Sequence, residues 1–252
     1  MKPLTRRRFM TAGIAATAGI AGVTVADKLA RRYGLLPPDD GGIYGPGETL
    51  TYAAQSLLGR HSLAREFPRS MISKSPFMNP VAPPNDAFKH SQTNRFADWR
   101  LTVDGMVAHP ASFSVGDLKA MATRSQITEV ACEEGWSYIA EWIGTPLSEV
   151  LREVGVQPQA RYLAYFSIDH DWWDSLDIRD ALHPQTLLTW GMNDSDLPVG
   201  FGGPLRMRVP RQLGYKSVKF VTRLTLMDSM KGFRDGQGSA SPAGGYSWYA
   251  GI

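Results

Sequence analysis

With a single cysteine, Cys132, the 252-residue chain cannot close an intramolecular disulfide. It also has no G-x-G-x-x-G after a strand-like stretch, no P-loop, no G-x-S-x-G elbow and no H-E-x-x-H pair. Those absences remove the Rossmann turn, the nucleotide-phosphate cradle, the serine-hydrolase nucleophile and the zinc-protease helix. Five histidines, His61, His90, His109, His170 and His183, are scattered with no pair at metal-ligand spacing, so a zinc site is not expected. No C-x-x-C-H is present for covalent haem. Nor is there a long Leu-rich run: the most apolar stretch, Phe9 to Ala26, is Ala/Gly-rich and marginal as a permanent membrane span.

That stretch settles the expected compartment. "TRRRFM" (Thr5–Met10) places an arginine pair ahead of Phe9, and an uncharged segment follows to a small-x-small end at Thr24-Val25-Ala26. Basic n-region, short h-region and small-residue end are the marks of a secretory leader. The arginine pair resembles the twin-arginine export signal. Residues 1–26 are therefore expected to be a signal peptide read by the twin-arginine machinery, and the protein periplasmic. The chain holds 27 basic and 24 acidic residues. Without Lys2, Arg6, Arg7 and Arg8 the formal net falls from +3 to −1, so no nucleic-acid partner is expected.

Residues 27–70 read as a helical and extended lead-in: a Pro/Gly-punctuated surface segment, then a helix over "TLTYAAQSLLGRHSLAREF" broken near Gly59. Pro76, Pro80, Pro83 and Pro84 predict an extended loop. The compact domain is expected over 71–252. "DWRLTVDGMV" alternates through Trp99, Leu101 and Val103, and Asp104-Gly105 predicts a hairpin turn. Ser114 and Asp117 predict the start of a short helix. "SQITEVAC" is strand-like and ends on Cys132. "TPLSEVLREVG" predicts a helix with Leu147, Val150, Leu151 and Val154 on one stripe and Gly155 after it. "ARYLAYFSI" reads as a buried strand. "PLRMRVP" alternates, with Arg206 and Arg208 opposite Leu205, Met207 and Val209; "KSVKFVTRLTLMD" puts Val218, Phe220, Leu224 and Leu226 on one face. Many short strands with brief helices between them predict a mixed, β-rich α+β domain. The aromatic tail "SPAGGYSWYAGI" is expected to pack back onto it.

Cys132 alone leaves three readings open: a small core hydrophobe, a nucleophile or a metal ligand. Glu133 and Glu134 follow it and oppose a free thiolate, whereas metal coordination would deprotonate the thiol outright.

"ACEEGWSYIAEWIGTPLSEVL" resembles the cysteine segment of the sulfite-oxidase-type molybdenum enzymes. It is nearest the bacterial periplasmic branch that includes the catalytic subunit of the methionine sulfoxide reductase system. The shared pattern is Cys132, Glu134, Trp136 and Ser137, then Trp142, Gly144, Pro146 and Leu147. "FADWRLTVDG", "LHPQTLL" and "GGPLRMRVPRQLGYKSVKFV" fit in the same order, so the resemblance covers about residues 70–252. It implies a sulfite-oxidase-like molybdenum cofactor domain, with Cys132 as the thiolate ligand of molybdenum and a molybdopterin completing the site. Arg206, Ser217, Val218 and Lys219 match positions that hold the pterin and its phosphate. Ser167 matches a threonine near the pterin, and Asn79 the asparagine of the first pterin loop. Strand alternation by itself would instead put Arg206 and Lys219 on a solvated face. Phe201-Gly202-Gly203-Pro204 departs from the N-G-A-P turn frequent in the family, removing an asparagine contact.

"SIDHDWWDSLDI" collects Asp169, His170, Asp171, Trp172 and Trp173, with the two tryptophans expected to wall a substrate funnel and His170 to donate a proton. The resemblance implies a molybdenum oxidoreductase that reduces an S-oxide or N-oxide of a small molecule. Oxidation of a small sulfur compound such as sulfite is the alternative, and an exported metal-free binding protein of the same fold a further one; a metal-free thiol enzyme would need a base beside Cys132. An external electron carrier, a membrane haem protein or a soluble cytochrome, is implied. No C-terminal dimerisation domain of the sulfite-oxidase kind follows, so a monomer is expected.

Overall fold

The computed structural model describes residues 25, 27–39, 42–79, 85–169, 172–233 and 237–252. The leader (1–26), apart from Val25, and the loop containing Pro80, Pro83 and Pro84 lie outside the described residues.

Two sheets carry the fold. The first has the order β2-β1-β10-β5-β6, from strands Leu101–Gly105 (β1), Ala111–Phe113 (β2), Tyr162–Ser167 (β5), Trp173–Asp177 (β6) and Val221–Met227 (β10). The second runs β3-β4-β7-β8, from Arg124–Ala131 (β3), Ser137–Pro146 (β4), Leu187–Met192 (β7) and Ser195–Asp196 (β8), with Arg206–Arg208 (β9) also paired to β7. This is the expected mixed α+β architecture. One apolar cluster joins the sheets, taking Leu101, Val103, Leu163 and Leu224 from the first and Leu188 and Met207 from the second. The helix Leu147–Glu153 lies in it, its stripe of Leu147, Val150, Leu151 and Val154 at most 1% exposed.

Local signals worked where the chain could satisfy them alone. Ser114 accepts from the Asp117 amide while the Asp117 carboxylate accepts from the Ser114 amide, a reciprocal cap on helix Val115–Ala120. Asp104-Gly105 behaves differently. Both residues stay in β1, paired in parallel with Thr225 and Leu226 of β10, and the chain reaches β2 through residues 106–110. The glycine is needed there because its φ is 82° and a Cβ would overlap the Leu226 carbonyl. Long-range pairing outweighs the hairpin signal. The extended reading of 216–227 is likewise interrupted: Phe220 has φ 58° and a bulge lies between Val221 and Arg223.

Residues ahead of Met71 also join the body. The helix Pro46–Leu58 buries Tyr52, whose hydroxyl donates to Asp177 at 2.9 Å and whose ring lies 5.0 Å from that of Tyr249. The tail packs back as expected: Trp248 is 1% exposed, its indole N–H donating to Ser175 at 2.8 Å. Beneath it, Lys216 donates to Asp174 at 2.6 Å, with both side chains at most 1% exposed, and Ser241 completes the carboxylate at 2.7 Å. This pair ties the first sheet, the 214–216 turn and the tail together.

Removing one member of that pair leaves a buried charge without its partner. Lys216→Met is expected to cost about 3–5 kcal/mol in urea unfolding. A loss below about 1 kcal/mol would mean that the pair does not hold the tail.

Candidate active site

The β3–β4 hairpin builds one side of a cleft of about 390 Å³. Val130 and Ala131 pair with Tyr138 and Ser137. Beyond them the Cys132 amide donates to the Trp136 carbonyl at 2.9 Å and the Gly135 amide to the Cys132 carbonyl at 3.0 Å. Cys132 is thus fixed at the strand's end, partly buried, and lines the cleft. Its thiol donates to the Glu133 carboxylate at 3.3 Å, and Glu134 accepts from the Trp136 indole at 2.7 Å. Burial pushes the thiol up to about 12, and the two carboxylates add to the effect. Both effects oppose a free thiolate at Cys132, and a cation at sulfur would reverse that balance.

The basic side comes from β9 and the 3-10 turn after it. Arg206 is 4% exposed, not on a solvated face. Its Nε donates to the Ser217 carbonyl at 3.0 Å and Nη1 to the Phe201 carbonyl at 3.0 Å. Phe201 thus orients the arginine through its backbone. Lys219 donates to the carbonyls of Gly200 at 2.8 Å and Asn79 at 3.2 Å. Gly202, with φ 105°, permits this, since a Cβ there would strike the lysine's stem. Among the described residues neither cation has a carboxylate partner. Burial, with Arg206 adding, depresses Lys219 to about 7. Behind them Arg208 is fully buried and pulled down to about 9 by burial and by Arg206, its Nε unpartnered among the described residues.

Asn79, Cys132, Ser167, Arg206, Ser217, Val218 and Lys219 all line this one cleft. Their polar groups are partly spoken for: Ser217 Oγ accepts from the Val209 amide and Ser167 Oγ from the Asp169 amide. His170 and Asp171 lie outside the described residues, between Asp169 and Trp172, which both line the cleft. Trp173 does not wall it. As the first residue of β6 it is buried against Phe166 and Phe233, because strand alternation turns it away from Trp172. His183 is buried away from the cleft, its ring pulled down to about 4 by burial and by Arg211.

An aromatic wall was not anticipated. Phe77 lies 4.8 Å from Trp136, Trp136 stacks on Tyr138 at 5.9 Å, and Tyr138 meets Phe201 edge-on at 5.8 Å. The tail adds Tyr246, stacked on Tyr215 at 5.1 Å. The Trp136 and Tyr138 pair could have been read from their i, i+2 spacing on one strand face. Nothing local marks Tyr246.

The donor set fits a cofactor that is anionic at one end and a soft metal at the other. Two desolvated cations without an acid call for a phosphate. Cys132 alone supplies soft donor atoms, and among the described residues no three His, Cys, Asp or Glu side chains gather to hold a metal, so further ligands must come with the cofactor. Residues 89–233 match the oxidoreductase molybdopterin binding domain, and the chain belongs to that family of molybdopterin-dependent oxidoreductases. It is 34% identical over 199 residues to the putative protein-methionine-sulfoxide reductase subunit YedZ1 of Azospira oryzae, covering 77% of this chain and 70% of the relative. It is 30% identical over 242 residues to the protein-methionine-sulfoxide reductase catalytic subunit MsrP of Xanthomonas axonopodis, covering 89% and 70%. The corresponding protein of Ralstonia nicotianae is 33% identical over 159 residues, and there the chain spans about half its relative, 48%. Among solved structures, the sulfane dehydrogenase SoxCD of Paracoccus pantotrophus shares the fold, with a TM-score of 0.50, 21% identity, and 68% of this chain and 47% of that chain covered.

An anion beside Lys219 favours its protonated form, which the cofactor-free site holds only below about 7. Sulfate, whose charge is constant in this range, should therefore bind the cofactor-free chain most tightly below about pH 7. Above it, calorimetry should show binding weakening by up to about tenfold per pH unit. Lys219→Met is expected to abolish that pH dependence; a wild-type curve flat from pH 6 to 9, by about a factor of two, would rule it out.

Proposed function

We propose that the protein reduces a methionine-type sulfoxide in the periplasm, drawing electrons from a separate carrier subunit. The observation that carries this reading is the meeting of Cys132, the Arg206 and Lys219 cation pair and the aromatic wall in one cleft. The relatives named for sulfoxide reduction and the leader-like residues 1–26 support it.

Arg206 and Lys219 would hold the cofactor's phosphate, and Ser217, Val218, Ser167 and Asn79, which line the same cleft, would bind its pterin. Cys132 gives its sulfur as thiolate, and Glu133 Oε2 stands 3.3 Å away to take the thiol proton as it leaves. Bound there, the molybdenum cofactor would supply two-electron redox chemistry. Phe77, Trp136, Tyr138 and Trp172 offer apolar surface to the thioether side of the substrate, whose S=O is its one strongly polar group. The reaction balances as sulfoxide plus two protons and two electrons giving thioether and water. His170, between two cleft-lining neighbours, is proposed as the source of one proton near neutral pH.

Chain from an export-competent host supplied with molybdate is expected to carry about one molybdenum and one pterin. Cys132→Ala should alter the metal's spectrum and drop viologen-driven sulfoxide reduction at least about a hundredfold. Folded wild type with neither metal nor pterin would remove the reading; loaded protein that oxidises sulfite but leaves sulfoxides untouched would replace its substrate.

A further inference from the structure

The helix Pro46–Leu58 is packed with its polar side inward. Glu48, 5% exposed, accepts from the Tyr249 amide at 2.7 Å, and Tyr52 and Ser56 both accept from Arg179, at 2.7 and 2.9 Å. The outward side carries Leu50, Leu57 and Leu58, 69%, 65% and 89% exposed, with Ala54 exposed between them. Positions 50, 54, 57 and 58 form one apolar stripe at helical spacing. Leucines scattered on a surface need no explanation, but a stripe of them on a helix held by its polar face does. Exposed apolar residues continue in the segments that flank the helix in sequence. Leu29, Tyr33, Tyr44 and Leu63 are each 46% exposed or more. Arg179 ties the two segments, reaching the Gly34 carbonyl at 3.4 Å as well as Ser56.

We propose that this face rests on a lipid bilayer, with the leucine stripe at the boundary between headgroups and acyl chains. The composition is that of an interfacial surface: leucines on the helix, exposed tyrosines in the flanking segments, and exposed Lys28, Arg32 and Arg60 in the same segments for anionic headgroups. The sequence ahead points the same way. The uncharged run Phe9–Ala26 runs in sequence directly into the segment that carries Leu29 and Tyr33. A second copy fits less well, because a two-fold contact would set the same cations against their own images. The face also borders the cleft's tail wall, since Tyr44 donates to the Gly245 carbonyl at 2.7 Å, next to Tyr246.

The test uses chain from an export-competent host, in the processed form in which it accumulates, with vesicles of phosphatidylethanolamine and phosphatidylglycerol. Amide hydrogen exchange in peptides covering 27–35 and 46–63 is expected to slow at least about threefold on vesicles, while the strands of both sheets are unchanged. Leu57→Asp with Leu58→Asp should lose that protection and co-float with vesicles about tenfold less, at unchanged molybdenum content; Leu57→Ala with Leu58→Ala should fall between. Unchanged exchange on vesicles overturns the proposal, whatever the sulfoxide assay shows. So does protection that grows with chain concentration in the absence of lipid, which would mean a second copy, or protection that appears only when the vesicles carry a membrane protein.

Discussion

Three buried or partly buried cations, Arg206, Arg208 and Lys219, sit without a carboxylate among the described residues, and the site is arranged around them. Desolvating like charges in a protein interior is costly, and the depressed pKa values of Arg208 and Lys219 record that cost. The chain spreads the charge over what it has. The ring of Trp142 has a guanidinium 5.4 Å away on behalf of both Arg206 and Arg208. Arg208 donates to Thr128 and to the Glu129 carbonyl across the sheet, while Arg206 and Lys219 rely on main-chain carbonyls. Dipoles hold these cations but do not neutralise them. An anionic cofactor does, and it gives the fold a reason to keep an uncompensated charge.

The frame that enforces this is the pair of sheets. β9 is only three residues long, yet pairing with β7 fixes Arg206 and Arg208 on one face. The same second sheet carries Cys132 at the end of β3, so the thiol and the cations are positioned by one hydrogen-bonded unit. The first sheet contributes Ser167 at the end of β5 and, through the Asp174–Lys216 pair, anchors the turn that precedes Lys219.

Legibility from sequence followed the range of the interactions. The Ser114 cap, the Leu147–Val154 stripe and the strand that delivers Cys132, which ends one residue earlier at Ala131, depend on neighbours within a few residues and are present. Asp104-Gly105 carried a turn signal that parallel pairing with β10 overrode, and Phe220's left-handed backbone interrupts an alternation that looked continuous. The cleft's cofactor-side residues were legible only through resemblance, because periodicity would have put Arg206 in solvent. Trp173 was misplaced through being read with Trp172 as a pair, although alternation separates neighbours. Tyr246 and the polar-inward docking of helix Pro46–Leu58 had no local signature: both arise from contacts between different segments, Tyr246 with Tyr215 and, some two hundred residues apart, Glu48 with Tyr249.

Tyr246 gives the cleft a temporal property. Its walls draw on Phe77 and Asn79, on Cys132 and Ser167 more than fifty residues later, and on Tyr246 in the aromatic tail. Vectorial synthesis cannot produce a half-made cleft that works, because no contiguous stretch contains its walls. Its lining is complete only with the tail docked, Tyr246 stacked on Tyr215. A cofactor that touches all of these walls is therefore bound by the folded chain and not by any one part of it.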